Sequence, residues 1–289
     1  MKKLSYLMVL VKACCFLLCV AVPMLLLGCG EGSDSSSSGM ISINVTDAKP
    51  VLPSGTEQVL ITFDDVSVHR TGGGWVLLPL AQDPYTIDLL QFQSGTTTEL
   101  VPPVSLIPGK YIQIRIGVTD ASIRINGGDY PVEIPSQNLK TDKEFDFEVV
   151  GGGAVDLTVD FDLSQSIVVT DPDTYMLKPV LHVNQTQEAA TLRGEILDST
   201  FEGATEATII VTWDKDQTED LGSGDEEYTK VTVTKVPVDP TGFSIYWLVP
   251  EEGYNVQIEV DGTLTHEEFV TSVDLPAGAI FELNQGAPI

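Results

Sequence analysis

Val155-Asp156-Leu157-Thr158-Val159-Asp160-Phe161-Asp162-Leu163 alternates apolar and polar residues without a break. Successive side chains of a β-strand point to opposite faces, so the five apolar residues line one face and Asp156, Thr158, Asp160 and Asp162 line the other. A helix would scatter the same residues around its axis. The stretch predicts a strand with one buried face, and the default reading puts its acids on the solvated face.

The same period recurs upstream. Ile41, Ile43 and Val45 alternate with polar residues, as do Val59, Ile61 and Phe63, followed after a slip by Val66 and Val68. Ile112, Ile114, Ile116 and Val118 share a face, and Ile123 and Ile125 lead into the turn signal Asn126-Gly127-Gly128-Asp129. Helical signals are few; Asp88-Leu89-Leu90-Gln91-Phe92 is good for one turn. With 25 Gly and 17 Pro and β-branched residues filling the periodic stretches, long helices are not expected. The fold class that follows is all-β, with antiparallel sheets packed as sandwiches.

Near Val183 to Ala190 the texture changes, and Asn184-Gln185-Thr186-Gln187-Glu188 is a polar gap. A second β series follows over Thr191–Leu197, Ala207–Trp213, Tyr228–Val236, Gly242–Val249, Tyr254–Val260, Glu267–Val273 and Ala279–Leu283. The expected organisation is a leader over 1–28, a lipidated cysteine and tether over 29–39, one β-sandwich over 40–186 and a smaller one over 190–289. Leu106-Ile-Pro-Gly-Lys-Tyr111 and Leu248-Val-Pro-Glu-Glu-Gly-Tyr254 form an internal echo, each a Pro/Gly turn that launches a strand.

The leader opens on Lys2 and Lys3 and continues into a 15-residue apolar run, Ala13 to Leu27. A cationic start, an apolar run and small residues at its end make a secretory signal. The run is shorter than the roughly 18–20 residues a spanning helix needs. It ends in Leu26-Leu27-Gly28-Cys29, which resembles the bacterial lipobox. The resemblance implies cleavage before Cys29 and diacylglycerol on its sulfur, an anchor to which each buried methylene adds about 0.8 kcal/mol. Gly30, rather than an aspartate, after the cysteine implies export to the outer membrane. Gly30 to Gly39 has no apolar residue and reads as a flexible tether with a reach of about 15–20 Å. Cys14, Cys15, Cys19 and Cys29 all lie in the leader or at the lipidation site, so a disulfide framework, a thiolate-bound zinc and a cysteine nucleophile are excluded from the mature part.

The formal net charge is −27, and loss of Lys2, Lys3 and Lys12 with the leader takes it to −30. That charge argues against nucleic acid, whose binding requires Lys and Arg to neutralise phosphates. No metalloprotease helix, nucleophile elbow or phosphate loop occurs. His69, His182 and His266 stand apart and read as structural or surface residues. Asp160 and Asp162 share a strand face roughly 6–7 Å apart, a separation a glycosidase pair or a calcium site could use. The densest acidic cluster surrounds Asp214, Asp216, Asp220 and Asp225, the candidates for a weak Ca²⁺ site. A Thr and a Glu stand where an EF-hand loop needs its fifth ligand and its glycine, so a charged loop is the default there and no cofactor is expected. Trp75, Trp213 and Trp247 are candidate sugar-stacking platforms, with core packing as the commoner role; Trp75, after Gly72-Gly73-Gly74, is the one expected at the surface.

Residues 40 to about 184 resemble a bacterial and archaeal lipoprotein domain known as domain of unknown function 4382. The matching blocks include Val45-Thr-Asp-Ala48, Val59-Leu-Ile-Thr-Phe63, Pro108-Gly-Lys-Tyr-Ile-Gln-Ile-Arg115, Val159-Asp-Phe-Asp162 and Leu177-Lys-Pro-Val180. No activity comes with that resemblance. Residues 190 to about 285 are similar to carboxypeptidase-regulatory or transthyretin-like sandwiches through Leu192-Arg-Gly-Glu-Ile196, Thr241-Gly-Phe-Ser-Ile245 and Tyr254-Asn-Val-Gln-Ile258. This resemblance implies a non-catalytic spacer or binding module. The expectation is a non-enzymatic envelope or surface lipoprotein, held to the membrane at Cys29, that binds a protein or glycan partner. The rivals are a pilin-like subunit assembling through sheet edges and an envelope glycan hydrolase using Asp160 and Asp162.

Overall fold

The computed structural model describes residues 37–47, 50–141, 145–196, 206–214, 229–235, 241–272 and 274–289. The leader, Cys29 and most of the tether lie outside them. In chain order the strands of the first half are β1 (Gly39–Thr46), β2 (Thr56–Arg70), β3 (Trp75–Leu78), β4 (Tyr85–Asp88), β5 (Thr98–Leu106), β6 (Gly109–Ile125), β7 (Gly128–Glu133), β8 (Asn138–Lys140), β9 (Phe147–Val149), β10 (Ala154–Phe161), β11 (Ile167–Asp171), β12 (Thr174–Leu177) and β13 (Leu181–Gln185). The second half adds β14 (Ala190–Ile196), β15 (Glu206–Asp214), β16 (Thr229–Lys235), β17 (Thr241–Leu248), β18 (Gly253–Val260), β19 (Thr263–Val270) and β20 (Ile280–Glu282). One helical turn, α1 (Leu163–Ser166), follows β10. The protein is all-β, and all seven strands expected in the second half are present, the sixth of them displaced toward the N-terminus.

Among the described residues the strands form four sheets. One runs β13-β10-β1-β5, and a larger one runs β11-β12-β7-β6-β2-β3 with β4 on β2 and β8 and β9 on β6. The second half holds β17-β14-β20 and β16-β15-β18-β19. The apolar faces read from the sequence close on one another. Ile41, Ile43, Val45, Leu157, Val159 and Phe161 share a buried cluster with Ile61, Phe63, Ile114, Ile116 and Val118. Phe63 of the larger sheet meets Phe161 of the smaller edge-to-face, centroids 6.3 Å apart. A separate cluster contains Leu192, Ile209, Val211, Ile245, Tyr254, Val256 and Ile258. The slip between Phe63 and Val66 is a break in register against β6, which keeps both halves of β2 apolar side inward.

Most pairings are antiparallel, as the sequence suggested, but three are parallel: β1 with β10, β7 with β12 and β14 with β20. Period-two patterning is the same in either direction, so strand polarity was not legible from it. The internal echo has a shared physical core. Tyr111 donates its hydroxyl to the Ile107 carbonyl at 2.8 Å, and Tyr254 donates to the Val249 carbonyl at 3.1 Å. Each acceptor precedes a proline, and both tyrosines are fully buried. Burying a phenol requires a partner for its hydroxyl, and each turn folds back to supply one.

Candidate functional site

The parallel pairing of β1 with β10 decides where the acids go. Thr46 stands opposite Asp160, so the two strands end together and the residues that follow, Asp47 and Asp162, converge on α1. The Leu163 N–H donates to Asp47 Oδ1 at 3.0 Å, and the Gln165 N–H donates to Asp162 Oδ1 at 3.1 Å. Two carboxylates from distant strands thus satisfy first-turn N–H groups that no helix can satisfy internally. His182 of β13 stands opposite Asp160, and its Nε2 lies 3.9 Å from Asp162 Oδ2. Asp47, Asp160, Asp162 and His182 are all buried, none more than 3 % exposed. Burial raises the Asp162 carboxyl above its ordinary value, against the lowering influence of His182, and Asp160 adds to the rise.

This overturns the expectation of a solvated acidic face. Asp156 is bonded by Ser42 Oγ and Asn44 Nδ2, both at 2.9 Å, while Thr158, Asp160 and Asp162 are sealed. Thr158 meets Thr186 at 2.9 Å between hydroxyls. The polar side of β10 is covered by polar partners, not by water. A pair at 1 % exposure each has no route to a glycan, and Asp162 caps the helical turn instead. Among the described residues no group of three His, Cys, Asp or Glu is placed to hold a metal ion.

An open cleft of about 730 Å³ lies where the outer edge of β13 meets the second half. Its lining includes Phe145, Asp146, His182 and Glu188 together with Trp213 and Glu252. Trp213 donates its indole N–H to Glu252 Oε2 at 3.1 Å within the second half, and Asn184 Nδ2 donates to the Trp247 carbonyl at 2.6 Å, a bond that joins the two halves. Trp247 adopts φ of 62°, a conformation costly for an aromatic residue, and this places its carbonyl within reach of Asn184. No Lys or Arg occurs among the described lining residues.

Residues 38–179 match the domain of unknown function DUF4382. The DUF4382 span carries the converging ends of β1 and β10 with Asp47, Asp160 and Asp162, and it supplies Thr141, Phe145 and Asp146 to the cleft; the other lining residues lie beyond it. No curated protein matches the sequence. Among solved structures, the chain is similar to a candidate adhesin from Bacteroides ovatus ATCC 8483, at 10 % identity and a TM-score of 0.20 over 91 % of this chain and 99 % of that one. It is also similar to the fimbrial anchor protein Mfa2 from Porphyromonas gingivalis, at 8 % identity and a TM-score of 0.20 over 81 % of this chain and 84 % of that one. Overlap this low carries no argument about fold or function.

The remaining expected residues fall as follows. Asp214 ends β15 and is 5 % exposed, while Asp216, Asp220 and Asp225 lie outside the described residues, as does Cys29. His266 Nε2 lies 3.3 Å from Glu268 Oε2. Within the DUF4382 span, Trp75 is 36 % exposed on β3, its ring 5.0 Å from that of His69 and capped by the Arg115 guanidinium at 4.0 Å. Trp213 is half-buried and packs against the second core, Trp247 is half-buried, and Trp75 is the exposed one, as expected. Trp213 continues the buried face of Ala207, Ile209 and Val211 to the edge of the core, where it also lines the cleft.

Proposed function

We propose that this protein is a lipid-anchored component of the cell envelope that works by binding a partner, without catalysis. The observation that carries the binding reading is the cleft beside β13, which presents Phe145 and Trp213 with Asp146, Glu188 and Glu252. Concave sites at the junction of two packed bodies, apolar with a few fixed polar groups, are the usual places for ligands. The non-catalytic reading is supported by the fate of Asp160 and Asp162, which are both buried, with Asp162 capping a helical turn. The address is supported by the leader: its cationic start, its short apolar run and the Leu26-Leu27-Gly28-Cys29 ending suit acylation at Cys29 and delivery to the outer membrane. The tether then holds the domains off the bilayer, and the acidic surface keeps them from anionic headgroups.

A photo-activatable side chain placed at Glu252 on intact cells tests the binding reading. A discrete cross-linked adduct is expected from that position and none from Asp129 on the β6–β7 hairpin. Equal labelling from both positions, or none from either, contradicts a partner held in the cleft.

A further inference from the structure

The outer face of the larger sheet carries an arrangement the cleft does not use. Arg115 of β6 and Lys140 of β8 are direct cross-strand partners, so their side chains leave the same face side by side. Like charges placed directly opposite destabilise a sheet. The sequence holds 42 acidic residues that could relieve the pair, yet neither cation makes an ion pair among the described residues. Arg115 instead lays its guanidinium over the exposed Trp75 ring at 4.0 Å, and its Nε makes no hydrogen bond there. Asp65 shares that face: burial and Asp64 raise its carboxyl, the Arg115 charge partly offsets the rise without an ion pair forming, and its Oδ1 is buried without a hydrogen-bond partner. Leu77, 70 % exposed, extends the apolar surface two residues along β3.

We infer that this face binds an acidic saccharide, with Arg115 and Lys140 taking sugar carboxylates and Trp75 and Leu77 taking the apolar face of the sugar rings. The pieces are complementary. A planar guanidinium pairs with a carboxylate through two parallel hydrogen bonds, and Lys140 adds a point charge one strand away. An indole at the surface offers rigid apolar area at small entropic cost. A carboxylate ligand would remove the repulsion between the two cations, which gives the arrangement a reason that packing does not. The inference is independent of the cleft and of the lipid anchor.

Isothermal titration calorimetry on the full chain in detergent tests it with three probes of matched length: tetragalacturonate, with a carboxylate on every ring; neutral maltotetraose; and tetraglutamate, with carboxylates and no rings. Tetragalacturonate is expected to bind at least tenfold tighter than the other two, and more weakly as salt rises. Arg115→Gln with Lys140→Gln should weaken it tenfold or more, and Trp75→Ala at least fivefold. Arg115→Lys, which keeps the charge and loses the planar fork, should fall between. These side chains are at least partly exposed, so an unchanged melting temperature confirms that each variant is folded. Asp129→Asn on the β6–β7 hairpin, outside both sites, should leave the titration unchanged. Equal binding of tetraglutamate would overturn the saccharide reading in favour of an acidic peptide. Absence of heat with tetragalacturonate, or binding that survives the double substitution, would overturn the site.

Discussion

Replacing Asp162 by alanine removes the acceptor for the Gln165 N–H, a bond of 3.1 Å at a position 1 % exposed. An orphaned buried N–H costs about 1–3 kcal/mol, and loss of an N-cap costs about 1 kcal/mol on its own scale. The two figures describe the same bond, so about 2 kcal/mol is expected, which for a body of this size lowers the melting temperature by about 4–8 °C. Asp162→Asn keeps an oxygen where Oδ1 was and removes the charge, so its cost should be under about 1 kcal/mol. The two variants also separate in their pH dependence. Burial raises the Asp162 carboxyl above the ordinary 3.8, so the folded protein holds this proton more tightly than the unfolded chain. Its contribution is fully present below 3.8 and is lost as pH rises through the raised value. Asp162→Asn has no such loss and should therefore gain on the wild type as pH rises across that window. Urea unfolding at a series of pH values reads both effects from the midpoint at unchanged slope. If alanine and asparagine cost the same, the capping role is wrong. If the asparagine difference is flat with pH, burial does not control this carboxyl.

The paired tyrosine turns predict that Tyr111→Phe and Tyr254→Phe each lose about 1 kcal/mol by denaturant unfolding, the worth of one buried hydrogen bond; no loss at either would leave the shared turn without energetic content. Gly194→Ala should destabilise the second half by about 1–3 kcal/mol, because a Cβ there would stand 2.6 Å from the Phe243 ring and a packed aromatic has no room to retreat. A tolerated alanine would show that this core is loosely filled. Size-exclusion chromatography of delipidated protein should give a monomer at all concentrations, since β1, the first strand after the tether, is already paired on both edges. Concentration-dependent polymers would favour the pilin-like reading instead.

How far the sequence could be read depends on the range of the physics. Alternation from Val155 to Leu163 is a local property, and it located β10 and its apolar face correctly. The fate of Asp160 and Asp162 was not local. It depends on β1 lying parallel to β10, which brings Asp47 to the same helical turn, and on His182 arriving from β13. A polar face covered by polar partners has the same period as one covered by water. The cleft was hidden for the same reason, because its walls come from Phe145, His182, Trp213 and Glu252. Trp213 was the one signal available; its alternating neighbours pointed toward a core, and it packs on that core while also lining the cleft. The echo between Leu106–Tyr111 and Leu248–Tyr254 was legible because a turn and its tyrosine lie within a few residues of each other.

The address of the molecule underlies the reading of it as an envelope component, and intact-protein mass spectrometry of material extracted from membranes tests it most directly. The expected species begins at Cys29 and carries the added mass of a diacylglyceryl group on sulfur. A chain that retains Met1 and has a free thiol at Cys29 would contradict the account.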